Sequence, residues 1–563
     1  MYDKSPGACC GEFTLIMSNQ ASSQYAGSRL WVRYPVSQDR MILLALLLLA
    51  TLLRFHRLNE PGLWLDEVSY TTFAQSPIMD QILNPEVTLN RSFDPVLSAI
   101  PFSLSLKLGF SNFLARFPAA VFGILSVAVI YRLGRTLLGN AVGLIAALLL
   151  CTSNYHLLYS QEARSYSQLV FFSLTSFWFF YQALDKNRAK SWVPYVVFTW
   201  AGLSSHYVMA LVIAIQAGFL AIIYVQQSLL IDFYQEPGLV SRKKLAYFAL
   251  SQVTILLLRG PWFGNSIARL GNTEGGSPTL DLANSSLLSL NALTGGSIPL
   301  LVLAGIGLVF ALYYSRRSGP LLAGWLILAI PITKIGLWIA GQLFNERHTI
   351  WGLPAILLVA SAGAVGIGFF AQKILPKTQQ KSSRLVGLAL SSVLVVPIVF
   401  TFVQQSQHNI AFKQTWPRGM LQEAADKIIR ESNDGETIIS IGVPAKHLRF
   451  YLDHSQQDLT VLDENAFIEK TNASQLPAQL NGRWYVFNNA YFQPDIPDRW
   501  KESVDYGVFY DIVVIHIPET CALPDCLDDI ITLLTEISDK NPGSFLAKRV
   551  DGILAGLKYT GVR

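Results

Sequence analysis

Eleven separated apolar runs restrict what this chain can become more than any other feature. They cover residues 41–55, 117–134, 140–158, 167–184, 192–206, 207–227, 245–259, 298–314, 320–344, 349–370 and 385–404. A bilayer span takes about 20 mainly apolar residues. In lipid every backbone N–H and C=O must be satisfied within the segment, which leaves helices as the economical solution. The charge count agrees: 14% of residues are charged, against about 25% in a soluble globular chain. The runs therefore predict an α-helical polytopic membrane protein with about 11 transmembrane helices.

The loops choose an orientation. Arg132/Arg135, Lys186/Arg188/Lys190, Arg242/Lys243/Lys244, Arg316/Arg317 and Lys373/Lys377/Lys381/Arg384 fall at alternate connections. With the N-terminus inside, every one of these clusters is cytoplasmic, as the positive-inside rule requires. This holds only if 95–110 does not cross. That segment carries Pro101 and Lys107, is short, and suits an interfacial helix. The basic residues thus read as topology. A net charge of +5 over 563 residues gives no reason to expect a nucleic-acid partner.

Composition divides the chain into three parts. Residues 1–40 are polar and Gly/Ser-rich, with Arg29, Arg33 and Arg40 ahead of the first run, and are expected to be a disordered cytoplasmic N-terminus. Met41–Leu53 reads as an uncleaved signal-anchor. Residues 41–404 form the membrane domain, with juxtamembrane helices in its first outer loop. From 405 to 563 the composition is that of an ordinary soluble domain. Strand-like runs at Glu436–Val443, Gly482–Asn488 and Tyr510–Ile517 accompany helix-like runs at Pro417–Ser432 and Leu527–Ile537, the pattern of a small α/β domain outside the membrane. Cys521 and Cys526 read equally as a disulfide and as two free thiols.

The chemistry-bearing residues gather on the outer side of this topology. Asp66 and Glu67 follow the first span. Glu162, Arg164 and Tyr166 lie between two spans, and His206 sits at a tight helix hairpin. Lys334 interrupts an apolar run, and Arg347 closes it. Charges at such positions are costly unless they face water or do chemistry. A carboxylate can act as general base toward a hydroxyl or hold a divalent cation. Guanidinium and ammonium groups can hold a phosphate. Asp66 and Glu162 are the catalytic candidates; Glu67, Arg164, Tyr166, His206, Lys334 and Arg347 are the substrate-binding ones. Competing structural readings stand beside them: a cap on the juxtamembrane helix for Glu67, a local ion pair for Glu162 and Arg164, a hydrogen-bonded hairpin histidine for His206, snorkelling for Lys334, and interfacial anchoring for Arg347. Trp64, Tyr70, Tyr159 and Tyr166 read either as the lining of a sugar site or as belt aromatics. No HExxH or CxxC spacing occurs, so no metal ligand set or certain cofactor is assigned. A transporter or flippase for a lipid-linked or anionic substrate is the alternative class.

The order of short motifs carries a resemblance. Leu-Trp-Leu-Asp66-Glu67 is followed by Ala115-Arg116-Phe-Pro118, then Tyr131-Arg-Leu-Gly-Arg-Thr-Leu-Leu-Gly. Tyr159-Ser-Gln-Glu162-Ala-Arg164-Ser-Tyr166, His206-Tyr207, Pro261-Trp262 and Glu346-Arg347-His348 come after. Over about residues 41–450 this resembles the GT-C integral-membrane glycosyltransferases, in particular the bacterial branch related to protein O-mannosyltransferases and lipid A aminoarabinose transferases. The resemblance implies a sugar donor on a polyprenyl phosphate, an acceptor hydroxyl on a lipid, glycan or protein, and an interfacial cleft on the outer face. It implies residence in a bacterial-type inner (plasma) membrane, with the C-terminal domain periplasmic or extracellular. It matches Asp66 to the acid near the reacting centre, Glu162 to the acid of the second outer loop, and Arg347 to the arginine near the donor phosphate. Two departures fall on acceptor binding and on any metal role of the first loop. Ser92-Phe-Asp94-Pro95 stands where many relatives have a His-Pro-Pro-type motif, and Arg347-His348 stands for Arg-Tyr.

Overall fold

The computed structural model describes residues 36–557 apart from 61, 84–95, 229–239, 269–279, 343, 375–379, 416–419, 444, 454–456, 473–478, 481, 489–494, 496–497, 499–504, 510–511, 518–520 and 523–524. The N-terminal segment expected to be disordered therefore lies outside the described residues up to position 35, and so does the stretch Ser92–Pro95. The side chains of Cys521, Cys526, Pro261 and Trp262 lie outside them as well.

Helix α1 (Val36–Phe55) begins five residues earlier than the apolar run alone indicates. The long connection after α1 then folds as short helices: α2 (Leu65–Gln75), α3 (Ile78–Leu83) and α4 (Ile100–Leu106). At 7 residues, α4 is about 10 Å long and is too short to cross a bilayer. Helices α5 (Asn112–Leu138) and α6 (Asn140–Thr152) form an antiparallel hairpin about Gly139. The chain breaks at Ser153 and turns by 61° into α7 (Asn154–Ser160). Then follow α8 (Tyr166–Lys186), α9 (Val193–Leu203), α10 (Met209–Ser228), α11 (Arg242–Ala268) and α12 (Leu282–Thr294). Helix α13 (Ile298–Tyr314) leaves α12 at 102°. Helix α14 (Ser318–Ile339), a 3-10 turn over Glu346–Gly352, α15 (Leu353–Ile374) and α16 (Gln380–Thr415) complete the bundle.

Among the described residues five helices are long and apolar enough to cross a membrane, or up to seven if each bent pair is one span. The four remaining runs of the sequence reading fall on α1, α8, α9 and α11. Charges near the ends of α1 and α11, the Ser, Thr and Gln residues of α8, and the 11-residue length of α9 set them apart. All four pack into the same bundle: α1 on α5 and α6, α8 on α5 and α9, and α9 on α11. Helices α13 and α15 touch backbone to backbone, because a Cβ on Gly307 would collide with the carbonyl of Val359, and one on Gly363 with that of Leu303. Small residues at such a crossing are how membrane helices approach closely.

The tail follows α16, which runs on to Thr415, past the expected end of the membrane part at 404. It contains α17 (Met420–Glu431), β1 (Thr437–Ile441), α18 (Ala445–Leu452), β2 (Thr460–Asp463), α19 (Glu464–Asn472), β3 (Gln479–Leu480), β4 (Arg483–Asn488), β5 (Asp505–Phe509), β6 (Ile512–Ile517), β7 (Cys521–Ala522), α20 (Asp525–Lys540) and α21 (Phe545–Gly556). Five strands form one sheet in the order β2-β1-β4-β6-β5. The pairs β2–β1 and β1–β4 are parallel; β4–β6 and β6–β5 are antiparallel. Period-two alternation sends Ile439, Tyr485, Phe487, Val513 and Ile515 toward α20 and α21. It sends Ile438, Trp484, Val486, Ile512 and Val514 to the opposite face, where Leu421, Ile428, Leu448 and Tyr451 meet Val68, Tyr70, Phe73 and Phe102 of the connection after α1. Each such buried side chain is worth about 1.5–3 kcal/mol. The tail and the first loop therefore share one core.

Candidate active site

The acidic pair opens α2. Trp64 is its N-cap, Asp66 and Glu67 stand in its first turn, and the Glu67 side chain accepts the Trp64 N–H at 3.3 Å. Carboxylates at this place also suit the positive end of the helix dipole. Glu67 turns inward. It accepts Arg116 Nε at 2.8 Å, Arg116 Nη2 at 2.7 Å and the Ala163 N–H at 2.7 Å. Its side chain is 1% exposed and that of Arg116 is 5% exposed. Arg116 also donates to the carbonyls of Leu58 and Gly62. One buried, charge-assisted knot thus fastens α2 to the start of α5 and to the Gln161–Ser165 turn.

That turn is pinned a second time by two reciprocal caps. Gln161 donates to the carbonyls of Leu53, Arg54 and His56 at the end of α1. Arg54 returns the contact from α1, with Nη1 to Cys151 O and Nη2 to Leu150 O, both at 3.2 Å, and Nη2 to His156 Nδ1 at 2.8 Å. The last carbonyls of a helix lack partners within it, and a cation there is favoured by the dipole. Arg54 serves the last carbonyls of α6 in this way, and Gln161 those of α1.

Asp66, one position from Glu67 and so about 100° around the helix, faces outward with its side chain 32% exposed. Its Oδ2 accepts Arg347 Nη1 at 3.1 Å and lies 3.7 Å from Arg164 Nη1. No described residue donates to Oδ1. Both guanidiniums rest on aromatic rings, within the reach of a cation–π contact. Arg164 stands 5.7 Å from the centre of Tyr70 and 5.9 Å from that of Tyr166; Arg347 stands 5.7 Å from Tyr166 and 5.9 Å from Trp64. Behind Tyr166 lie His206 and His348, at 5.5 and 6.4 Å between ring centres. His206 Nδ1 accepts the Val208 N–H, and His348 Nδ1 accepts the Asn345 N–H, so each neutral ring carries its proton on Nε2. Burial, reinforced by Arg164 and Arg347, pushes the His206 pKa down to about 3. The charges of Asp66, Arg164 and Arg347 sum to one positive, beside the rings of Trp64, Tyr70 and Tyr166. An anion bearing a polar ring fits that chemistry.

The sequence-derived residues therefore separate. Asp66, Arg164, Tyr166, His206 and Arg347 converge. Glu67 turns away from Asp66, with hydrogen bonds to Arg116 and to backbone, in line with the capping alternative of the sequence reading. Glu162 is buried, with its carbonyl accepting the Arg164 N–H at 2.7 Å, and its charge acts on Arg116 and Tyr159. Lys334 is also buried, with Nζ 4.9 Å from the centre of the Phe344 ring; among the described residues no carboxylate reaches it. Its helix packs against the turn that carries Arg347, where Trp351 Nε1 donates to Thr333 Oγ1. Among the described residues no group of three or more His, Cys, Asp or Glu is placed to hold a metal ion. Residue-by-residue reading overlooked Arg116, whose signal was a lone arginine at the start of an apolar helix. It also overlooked His348, which meets the rings of Tyr166 and His206, because that contact depends on where the turn folds.

Residues 94–234 match the family model described as dolichyl-phosphate-mannose-protein mannosyltransferase. No curated protein matches the chain. Among solved structures, ArnT from Cupriavidus metallidurans in the apo state aligns with a TM-score of 0.56 at 13% identity, covering 86% of this chain and 98% of that one. The same protein bound to undecaprenyl phosphate aligns with a TM-score of 0.52 at 13% identity, over 85% and 98%. The apo oligosaccharyltransferase of Archaeoglobus fulgidus aligns with a TM-score of 0.52 at 12% identity, over 81% of this chain and 70% of that one. The fold is that of the GT-C membrane glycosyltransferases.

Proposed function

We propose that this GT-C-fold chain is a membrane glycosyltransferase. It moves a sugar from a polyprenyl phosphate to an acceptor hydroxyl, with inversion, on the extracytoplasmic face of a bacterial-type inner membrane. The observation that carries the reading is Asp66 held between Arg164 and Arg347 above Trp64, Tyr70 and Tyr166. ArnT from Cupriavidus metallidurans binds undecaprenyl phosphate, and an archaeal relative of the same fold, with a TM-score of 0.50, binds dolichol-phosphate. This supports a lipid phosphate as the anion.

The donor phosphate enters from the outer leaflet and takes donors from Arg347 and Arg164, with Lys334 as a further cation on the lipid side. The sugar stacks against these aromatic rings, and the Nε2–H groups of His206 and His348 face it. The Oδ1 of Asp66 takes the acceptor hydroxyl proton. The acceptor oxygen attacks the anomeric carbon, the bond from that carbon to the phosphate oxygen breaks, and the phosphate leaves with the electron pair, held by the two guanidiniums. Glu162 orients the acceptor side from below, and Glu67 holds α2 in register. Asp66, Arg164, His206 and Arg347 all lie at helix ends or in the turns between helices, which favours this reading over a transporter with its site at mid-membrane on broken helices.

The test is transfer of label from polyprenyl-phosphate sugars to a host membrane extract by the purified chain, beside Asp66→Asn. Transfer by the natural chain and its loss in the variant, with donor binding retained, is expected. Full transfer by folded, inserted Asp66→Asn would overturn the assignment of the base.

A further inference from the structure

The tail takes hold of the chain just before α2 and of α2 itself, one contact on each side of Asp66. Tyr451 Oη donates to the carbonyl of Leu63 at 2.9 Å, three residues before Asp66. His447 Nε2 shares a hydrogen bond with Ser69 Oγ, three residues after it. His447 and Tyr451 are four apart on α18 and so project from one face of that helix. Both are buried. Leu63 precedes the N-cap, and the first helical bond runs instead from the Val68 N–H to the Trp64 carbonyl. The Leu63 carbonyl is thus outside the ladder of α2, and the tyrosine supplies its donor.

The anchor behind these contacts is rigid. Helix α18 follows β1 directly, with Ser440 Oγ bonded to the Val443 carbonyl at 2.7 Å in the connection. Arg449 ties the same helix to the Val461 carbonyl of β2. Phe450 meets Phe110 of the first loop edge-on at 5.1 Å. On its inner side α2 is fixed by Glu67 and Arg116. The one turn that carries Asp66 is therefore clamped from the membrane side by a salt bridge and from the tail by two hydrogen bonds.

We infer that α18 of the tail is a positioning element for the reaction, with Tyr451 and His447 as positioning residues that set Asp66 against Arg347 and Arg164. The inference rests on the reading of Asp66 as the base. A displacement of about 1 Å at a reacting group can cost about a hundredfold in rate, and neither residue needs to touch substrate to have that effect.

The experiment uses the full chain in detergent with Tyr451→Phe, Ser69→Ala and the double variant. Tyr451→Phe keeps the packed ring, and Ser69→Ala keeps the helix. Transfer kcat, affinity for undecaprenyl phosphate, thermal unfolding and hydrogen exchange of the amides of 64–69 are measured together. Expected are a kcat lowered by about fivefold to tenfold in each single variant, a larger loss in the double, unchanged affinity, a melting point lowered only slightly, and faster exchange in the 64–69 amides. Unchanged kcat and exchange in both single variants would overturn the inference. So would a kcat loss with unchanged exchange in the 64–69 amides. If the natural chain transferred no sugar from any donor, the transferase reading would fall and exchange would decide: faster exchange supports the clamp, unchanged exchange overturns it.

Discussion

Glu67→Gln separates a structural acid from a ligand-binding one. In the fold Glu67 accepts from Arg116 Nε and Nη2, from the Ala163 N–H and from the Trp64 N–H. Glutamine keeps the shape but offers one acceptor oxygen and turns an NH2 toward groups that are themselves donors. At least one charge-assisted bond is lost, about 1.5–3 kcal/mol. Arg116 is left buried without its carboxylate partner, its contacts to the carbonyls of Leu58 and Gly62 remaining. Removing one partner of a buried ion pair costs about 3–5 kcal/mol in total. We expect that loss as a lowered unfolding midpoint in detergent, with activity falling because Asp66 and the Arg164 turn share this knot. In the double variant Glu67→Gln/Arg116→Met the losses should be far from additive, since the second change removes the stranded charge, with a coupling of about 2 kcal/mol. A Glu67→Gln protein that melts like the natural one but binds polyprenyl phosphate weakly would refute the reasoning and return Glu67 to the substrate site.

Three further outcomes are expected. Arg347→Ala should abolish transfer and weaken phosphate-lipid affinity about tenfold or more. Arg347→Lys should recover only part of that affinity, because a point charge cannot contact Asp66 and a phosphate through a planar fork; titration with undecaprenyl phosphate checks both. Gly307→Ala places a methyl against the Val359 carbonyl and should cost about 3 kcal/mol by overpacking, read as a lower melting point, with reduced activity because α15 sets the Arg347 turn. His206 has its pKa lowered from 6.5 to about 3 by burial and by Arg164 and Arg347. Its neutral form therefore contributes stability in full above pH 6.5, and that contribution is lost as pH falls toward 3. In melting scans across that window, the natural chain should lose more stability than His206→Gln; parallel curves would refute the buried, neutral assignment.

The sequence by itself determined the class of fold. Lipid leaves a polar backbone few solutions, so the apolar runs marked the helical bundle. The strands at 437–441, 483–488 and 512–517 and the helices at 420–431 and 525–540 were legible because period-two and amphipathic patterns are local. Asp66, Arg164, Tyr166, His206 and Arg347 were legible as candidates because charge beside a bilayer is costly without a use. Tertiary structure alone decided which of them meet. Asp66 and Arg347 are separated by 281 positions, and nothing local distinguishes Glu67, which turns inward to Arg116, from Asp66, which turns outward to Arg347. Nor does any local pattern join Tyr451 to Leu63 across 388 positions. Burial patterns are properties of one element and are written along it, whereas a hydrogen bond between elements depends on the packing angle of the whole bundle, which no single segment specifies.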